Sequence, residues 1–488
     1  MAIPKRISAA AALLLLASCQ AEVGHLPGAD FNPAVTTRDP AILVSLVAST
    51  TTPEESRMSA DRLLAEKKGK TDETRLSVLE QLLYAPGHSD RMRIYALDQL
   101  ADADPARAGH ALMLYLPRFE GEVLAHATAM AATLGDQRLI DPLIRSLARW
   151  DGQGALEARP ETKTLEQLAT RPLIDTLFDR LAQSKDRSLR SDALDLLAVI
   201  GPVDSLKARI AALSPPASPS DPWLADLRWW IATFDTLPSG EAEMRWVQFL
   251  HRPEQAPLVN RALERHRRLR EASDYHVAPR FIHVLAYADD AAVQATRIQL
   301  LATIKQQLGE RRIVDRVPEN SGSPDDQHTA LDAQESKLSR GDLLAIHLLL
   351  RGLADRRILE ELHRQGLADM SDTATEQGGL LSFQNVDRPA LWAIPYPPLF
   401  ASNDFQYLTG DKLLLETAAG VAQYHFHFQQ VRNEARAGPG TGDLAYAHTT
   451  RCNCVVITSI GPGTMDIDFY TPEGAVVDLG VYPTAPSP

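Results

Sequence analysis

Cysteine is scarce in this chain of 488 residues, which has only Cys19, Cys452 and Cys454. A chain of this length with so few cannot be a disulfide scaffold. Basic residues are also in deficit: 50 Lys and Arg stand against 63 Asp and Glu, a net charge of −13. Nucleic-acid backbones need a basic surface, so no nucleic-acid partner is expected. Beyond the first residues there is no apolar run near the ~20 residues that a membrane-spanning helix needs. What remains is an ordinary globular composition, 44% hydrophobic and 23% charged, long enough for two or three domains.

The first stretch, "MAIPKRISAAAALLLLASC", has Lys5 and Arg6 ahead of an apolar core too short to span a bilayer. It ends in Leu16-Ala17-Ser18-Cys19. That order resembles a bacterial lipobox, the signal for cleavage before a cysteine that becomes lipidated. The resemblance implies a signal peptide over residues 1–18 and a lipid on Cys19. Gln20, where an Asp would favour inner-membrane retention, implies an outer-membrane protein facing the periplasm. A lipid of this kind tethers a soluble domain to the membrane rather than spanning it. The alternative is an ordinary secretory signal with an incidental cysteine.

Residues 19–39 lack apolar periodicity and read as a tether. From 40 to 313 the pattern is helical, broken briefly at Gly, Pro and Asp. "YALDQLADADP" (95–105) and "DALDLLAVIGP" (192–202) share Ala-Leu-Asp-x-Leu-Ala and a following Pro. "ATLGDQRLIDPLIRSL" (132–147) resembles the turn and second helix of a HEAT-type repeat. Helix pairs of this kind stack to bury their apolar faces, so the expectation is an α-helical solenoid that binds protein or peptide partners. Residues 314–340 are polar and Pro/Gly/Ser-broken, and read as a linker. Residues 341–488 begin helically, then turn to short strands such as "CVVITSI", "MDIDFY" and "AVVDLGVY", which predict an α+β domain.

In that domain "QYHFHFQQ" sets His425 and His427 two apart on a strand, so both imidazoles share one face. Such a pair either holds a metal or decorates a polar face. Glu376 precedes Gly378-Gly379 and an apolar run, and Asp443 ends the Gly-rich turn "GPGTGD" before a helical start. Glu before a glycine-containing strand, then His-x-His, then Asp before a helix, resembles the JAMM (JAB/MPN) metalloprotease fold. The resemblance covers residues 341–488 and implies zinc, with His425, His427 and Asp443 as ligands and Glu376 as general base. Three protein ligands leave a fourth position on zinc for water.

The departures from that pattern bear on activity. Phe428 stands where the family has Pro, and the loop from His427 to Asp443 is longer. Gly440 replaces the family's oxyanion-site Ser, leaving Thr441, one place off, as the nearest hydroxyl donor. Losing such a donor costs roughly 100–1000-fold in rate. Two functions therefore stand open: a zinc-dependent peptidase or isopeptidase carried on a helical scaffold, or a binding scaffold with a silent JAMM-like module. Cys452 and Cys454 read as packing or a thiol pair, and His448 as a surface residue or substitute ligand.

Overall fold

The computed structural model describes residues 37–150, 155–213, 221–269, 277–316, 328–385, 388–399, 407 and 409–484. Cys19, the lipobox around it and most of the tether lie outside these. The protein is mostly helical, with a C-terminal six-stranded mixed sheet. It falls into two compact units, one up to Asp136 and one from Gln137 onward. The described parts of the 314–340 segment expected as a linker, residues 314–316 and 328–340, fall within the second. Among the described residues no helix is long and apolar enough to cross a membrane.

The first unit is built of helices Pro40–Ala48, Glu54–Lys68, Glu73–Tyr84, Asp90–Ala103, Pro105–Tyr115 and Gly121–Leu134, successive ones packing together. Their starts follow from short polar side chains that accept free N–H groups of the first turn. Asp72 accepts from Arg75 N, Ser89 from Met92 N, and Asp104 from Arg107 N. Gly135 ends the last helix at φ 65°, a conformation glycine adopts without a Cβ clash. The "ALDQLA" segment lies in helix Asp90–Ala103 and buries Ala96, Leu97 and Leu100. Below it Arg75 forks onto Asp61 with two bonds of 2.7 Å, both side chains buried. Tyr95 Oη also donates to Asp61, and Arg75 donates to Gln99 and to the Lys70 carbonyl.

In the second unit the "ALDLLA" segment lies in helix Arg187–Ile200, with Ala193, Leu194, Leu196 and Leu197 buried. One hydrophobic core runs from Trp230 to Tyr482, taking in helices and sheet alike. Helix Arg340–Leu353 is apolar on nearly all sides and is correspondingly buried.

The strands are β1 Gly378–Gln384, β2 Ala390–Tyr396, β3 Ala422–His427, β4 Cys454–Gly461, β5 Thr464–Tyr470 and β6 Val476–Pro483. Their order is β2-β1-β3-β4-β5-β6. Every neighbouring pair is antiparallel except β3 and β4. Parallel strands need a crossover connection, and helix Thr441–Thr450 lies within it.

Cross-strand partners point the same way, so the registers sort the side chains into two faces. Tyr424, Phe426, Val455, Ile457, Ile467 and Phe469 share the apolar face. Helix Arg356–Met370 lies on it: a Cβ on Gly366 would sit 2.5 Å from the Phe428 ring. His425, His427, Thr458, Asp466, Asp468 and Asp478 share the opposite, polar face. That face is not open to water. Tyr446 of helix Thr441–Thr450 reaches it and donates to Gln423 at 2.7 Å, and the three aspartates and Thr458 are fully buried.

Candidate metal centre

Three segments meet where β3 ends. His425 and His427 come from β3 itself, their rings 5.1 Å apart between centroids. Glu376 lies just ahead of β1. Gly378 pairs with His425, and the same antiparallel register continued by two residues sets Glu376 opposite His427. The Gln377 carbonyl accepts from Phe426 N, and Asp369 Oδ1 accepts from Gln377 N at 2.6 Å, so the residue beside Glu376 is held from both sides. A Cβ on Gly378 would lie 2.3 Å from the Tyr424 carbonyl, so only glycine lets the two strands close here. Asp443 is the third residue of helix Thr441–Thr450 and turns back to accept from Gly440 N at 2.7 Å.

The four side chains converge. His425 Nε2 is 3.5 Å from Asp443 Oδ1, and His427 Nε2 is 3.8 Å from both Asp443 Oδ2 and Glu376 Oε1. One ligand atom each of Glu376, His425 and His427 lies within 4.8 Å of the others. These separations are too long for good hydrogen bonds. They are close to the ~3.4 Å between two ligands that each lie about 2.1 Å from one tetrahedral ion.

The nitrogens are also prepared for that role. His425 Nε2 is buried and makes no hydrogen bond. His427 Nδ1 is 2.7 Å from the Arg436 carbonyl, so Nδ1 carries the proton and Nε2 keeps its lone pair toward the cluster. The residues present could therefore hold a metal ion. Glu376, not Asp443, completes the group whose ligand atoms lie mutually within 4.8 Å, while Asp443 meets each imidazole with a different oxygen; Asp443 as ligand and Glu376 as base is what the resemblance supplies.

The charges are strongly coupled. Burial opposes charge on His425, but the neighbouring Asp443 carboxylate outweighs it and, with Glu376, raises the imidazole to about 9. Burial, then the charge on His425, lowers His427 to about 4. Burial would raise Asp443, yet the two imidazoles hold it below the usual carboxylate range.

Phe428, where the family has Pro, is a buried core residue against Gly366 and Phe426. Thr441 is exposed in the first helical turn, and the Gly440 N–H beside it is already taken by Asp443. His448 is exposed, its Nδ1 3.1 Å from the Pro472 carbonyl, on other partners than the cluster's. Cys452 and Cys454 are buried free thiols with sulfurs 3.3 Å apart.

Sequence reasoning missed the long loop's work. Asn433 donates to the His427 carbonyl and to Gln429, while Arg436 supplies the carbonyl that fixes the His427 tautomer. The one available signal was a lone Asn amid charged residues in an otherwise irregular loop. No family model, no curated protein and no solved structure matches this chain.

Proposed function

We propose that the C-terminal region is a JAMM-like zinc domain that hydrolyses a peptide or isopeptide amide. The observation that carries this reading is the convergence of His425, His427, Asp443 and Glu376 at 3.5–3.8 Å. Support for the fold comes from the His-x-His strand running parallel to the strand that follows the Asp-bearing helix. His425, His427 and Asp443 hold the ion in this reading. Zinc, when bound, supplies a Lewis acid that makes water a nucleophile near neutral pH.

The chain's own residues do the rest. Arg436 keeps His427 in the tautomer with Nε2 unprotonated. Gly440 N–H keeps the Asp443 carboxylate turned toward both rings. Glu376, buried beside His427, takes a proton from water and hands it to the leaving amine nitrogen. The test is metal analysis of the purified protein together with amide hydrolysis by its variants. His427→Ala and Asp443→Ala lose zinc, whereas Glu376→Gln keeps it and loses hydrolysis. Wild-type protein free of zinc after growth and reconstitution in zinc-containing medium ends the reading.

A second reading has its own support: Gly440 lacks the family's hydroxyl and Thr441 faces solvent. On that reading the helices form a HEAT-like solenoid binding protein or peptide partners, and the domain binds metal without turnover. Metal retained by Glu376→Gln with no wild-type hydrolysis of any amide tested selects it.

The lipobox resemblance adds an outer-membrane anchor at Cys19, facing the periplasm. Cys19→Ala then loses acyl mass and leaves the membrane fraction, and a wild-type protein without acyl mass refutes the anchor.

A further inference from the structure

The polar face of the sheet carries a second cluster that the histidine centre does not use. Asp466 and Asp468 on β5 and Asp478 on β6 are all buried, and one oxygen of each lies within 4.8 Å of the others. No donor gives a hydrogen bond of good geometry to either oxygen of Asp466 or of Asp468. Asp478 is the exception, accepting from Val314 N at 2.6 Å and from Gly480 N. An independent group points the same way. Thr458 on β4 is the cross-strand partner of Asp466, so its side chain shares that face. It is fully buried, and its hydroxyl also has no hydrogen-bond partner. Four carboxylate oxygens and one hydroxyl, all buried at one place and without a hydrogen bond of good geometry, call for an occupant, because unmet buried polar groups are rare in folded proteins.

We propose that Asp466, Asp468 and Asp478, with the Thr458 hydroxyl, form a second cation site for a hard divalent ion of the Ca²⁺, Mg²⁺ or Mn²⁺ type. The donors are all oxygen, the set such ions prefer, and no imidazole or thiolate belongs to the cluster. The charge also suits. Arg316 stands near enough to favour the charged form of Asp468, as does Gly438 N–H. Three carboxylates less one guanidinium leave two negative charges for one divalent ion.

The two sites are separate. His427, Thr458 and Asp466 face one another across β3, β4 and β5, so the sites stand about 10 Å apart, two strand spacings. The ion's role is structural: it ties the β5–β6 hairpin together from within. The competing occupant is the proton, since burial and mutual repulsion raise Asp466 and Asp468, and burial raises Asp478 to about 6.

The experiment uses the full chain stripped with chelator and titrated separately with CaCl₂, MgCl₂ and MnCl₂. Bound ion per chain and melting temperature are read for wild type, Asp468→Asn, Thr458→Val and His427→Ala. The expected result is one equivalent of at least one of the three ions in wild type and in His427→Ala, with the melting temperature rising with ion concentration. Asp468→Asn and Thr458→Val bind it roughly tenfold more weakly or worse. If Asp468→Asn does not fold, the wild-type titration and Thr458→Val decide alone. Three results overturn the proposal. Wild type takes up none of the ions at millimolar concentration; or the ion bound is lost in His427→Ala and kept in Asp468→Asn; or Asp468→Asn melts higher and no variant binds an ion, which assigns the cluster to shared protons.

Discussion

Zinc uptake by the histidine centre should depend on pH in a particular way. In the metal-free protein His425 is raised to about 9 and His427 lowered to about 4, so near neutrality the first is an imidazolium and the second is neutral. A metal needs the Nε2 lone pair of both, so it must displace the proton on His425. The sign follows: protons compete with the ion, and affinity rises with pH. At pH 7 the site lies two units below the His425 value, which weakens binding about 100-fold relative to its high-pH limit. From pH 5 to 8 the affinity should climb about tenfold per unit with about one proton released per ion, and nearer pH 4 the slope should steepen as His427 also protonates. Competition against a chelator of known affinity at pH 6, 7 and 8 measures the slope. Calorimetry in two buffers of different ionisation enthalpy counts the proton. An affinity flat across that range, or no proton released at pH 7, would refute the assignment of His425 as the protonated partner of Asp443.

Three further outcomes concern packing. Arg75→Met leaves the Asp61 carboxylate buried without its fork and should cost about 3–5 kcal/mol in urea unfolding, and Arg75→Met with Asp61→Leu should recover much of that; a double variant no more stable than the single one contradicts this. Gly366→Ala drives a methyl into the Phe428 ring and should cost about 1–3 kcal/mol, partly restored by Phe428→Leu. Ala96→Asp and Ala193→Asp each bury an unpaired charge in a helix seam, for a loss of several kcal/mol. Wild-type melting of either Asp variant would mean that its alanine is not packed as described.

The helices were readable because Ala and Leu recur at helical spacing, as in "ALDQLA", and the buried residues there are those the period selects. The strands were readable for the same kind of reason. β5 alternates Met465, Ile467 and Phe469 with Asp466 and Asp468. That alternation is also why the aspartate cluster went unseen: a half-buried strand with a wet face has the same pattern as one whose polar face is covered. The segments that lie against the aspartates, around Val314–Arg316 and Gly438, decide between them, and no local signal in β5 reports them. The convergence of His425, His427, Asp443 and Glu376 was foreseeable in outline from their order. The Arg436 carbonyl that sets the His427 tautomer was not, because a main-chain acceptor leaves no mark in a sequence.

The two-faced sheet also bears on how faithfully the chain folds. Sliding β3 or β5 by one residue exchanges the faces. Such a slip would push two histidines or two aspartates into the layer of Phe426, Ile457 and Phe469, and turn Phe426 or Phe469 toward the carboxylates. A strand with one greasy and one wet side loses only burial when it slips. Here the mistake is punished twice, by stranded charge and by aromatic rings among acids. The acidic residues thus act as proofreaders of strand alignment before any ion arrives, and replacing them with apolar residues would free the hairpin to settle in more than one register.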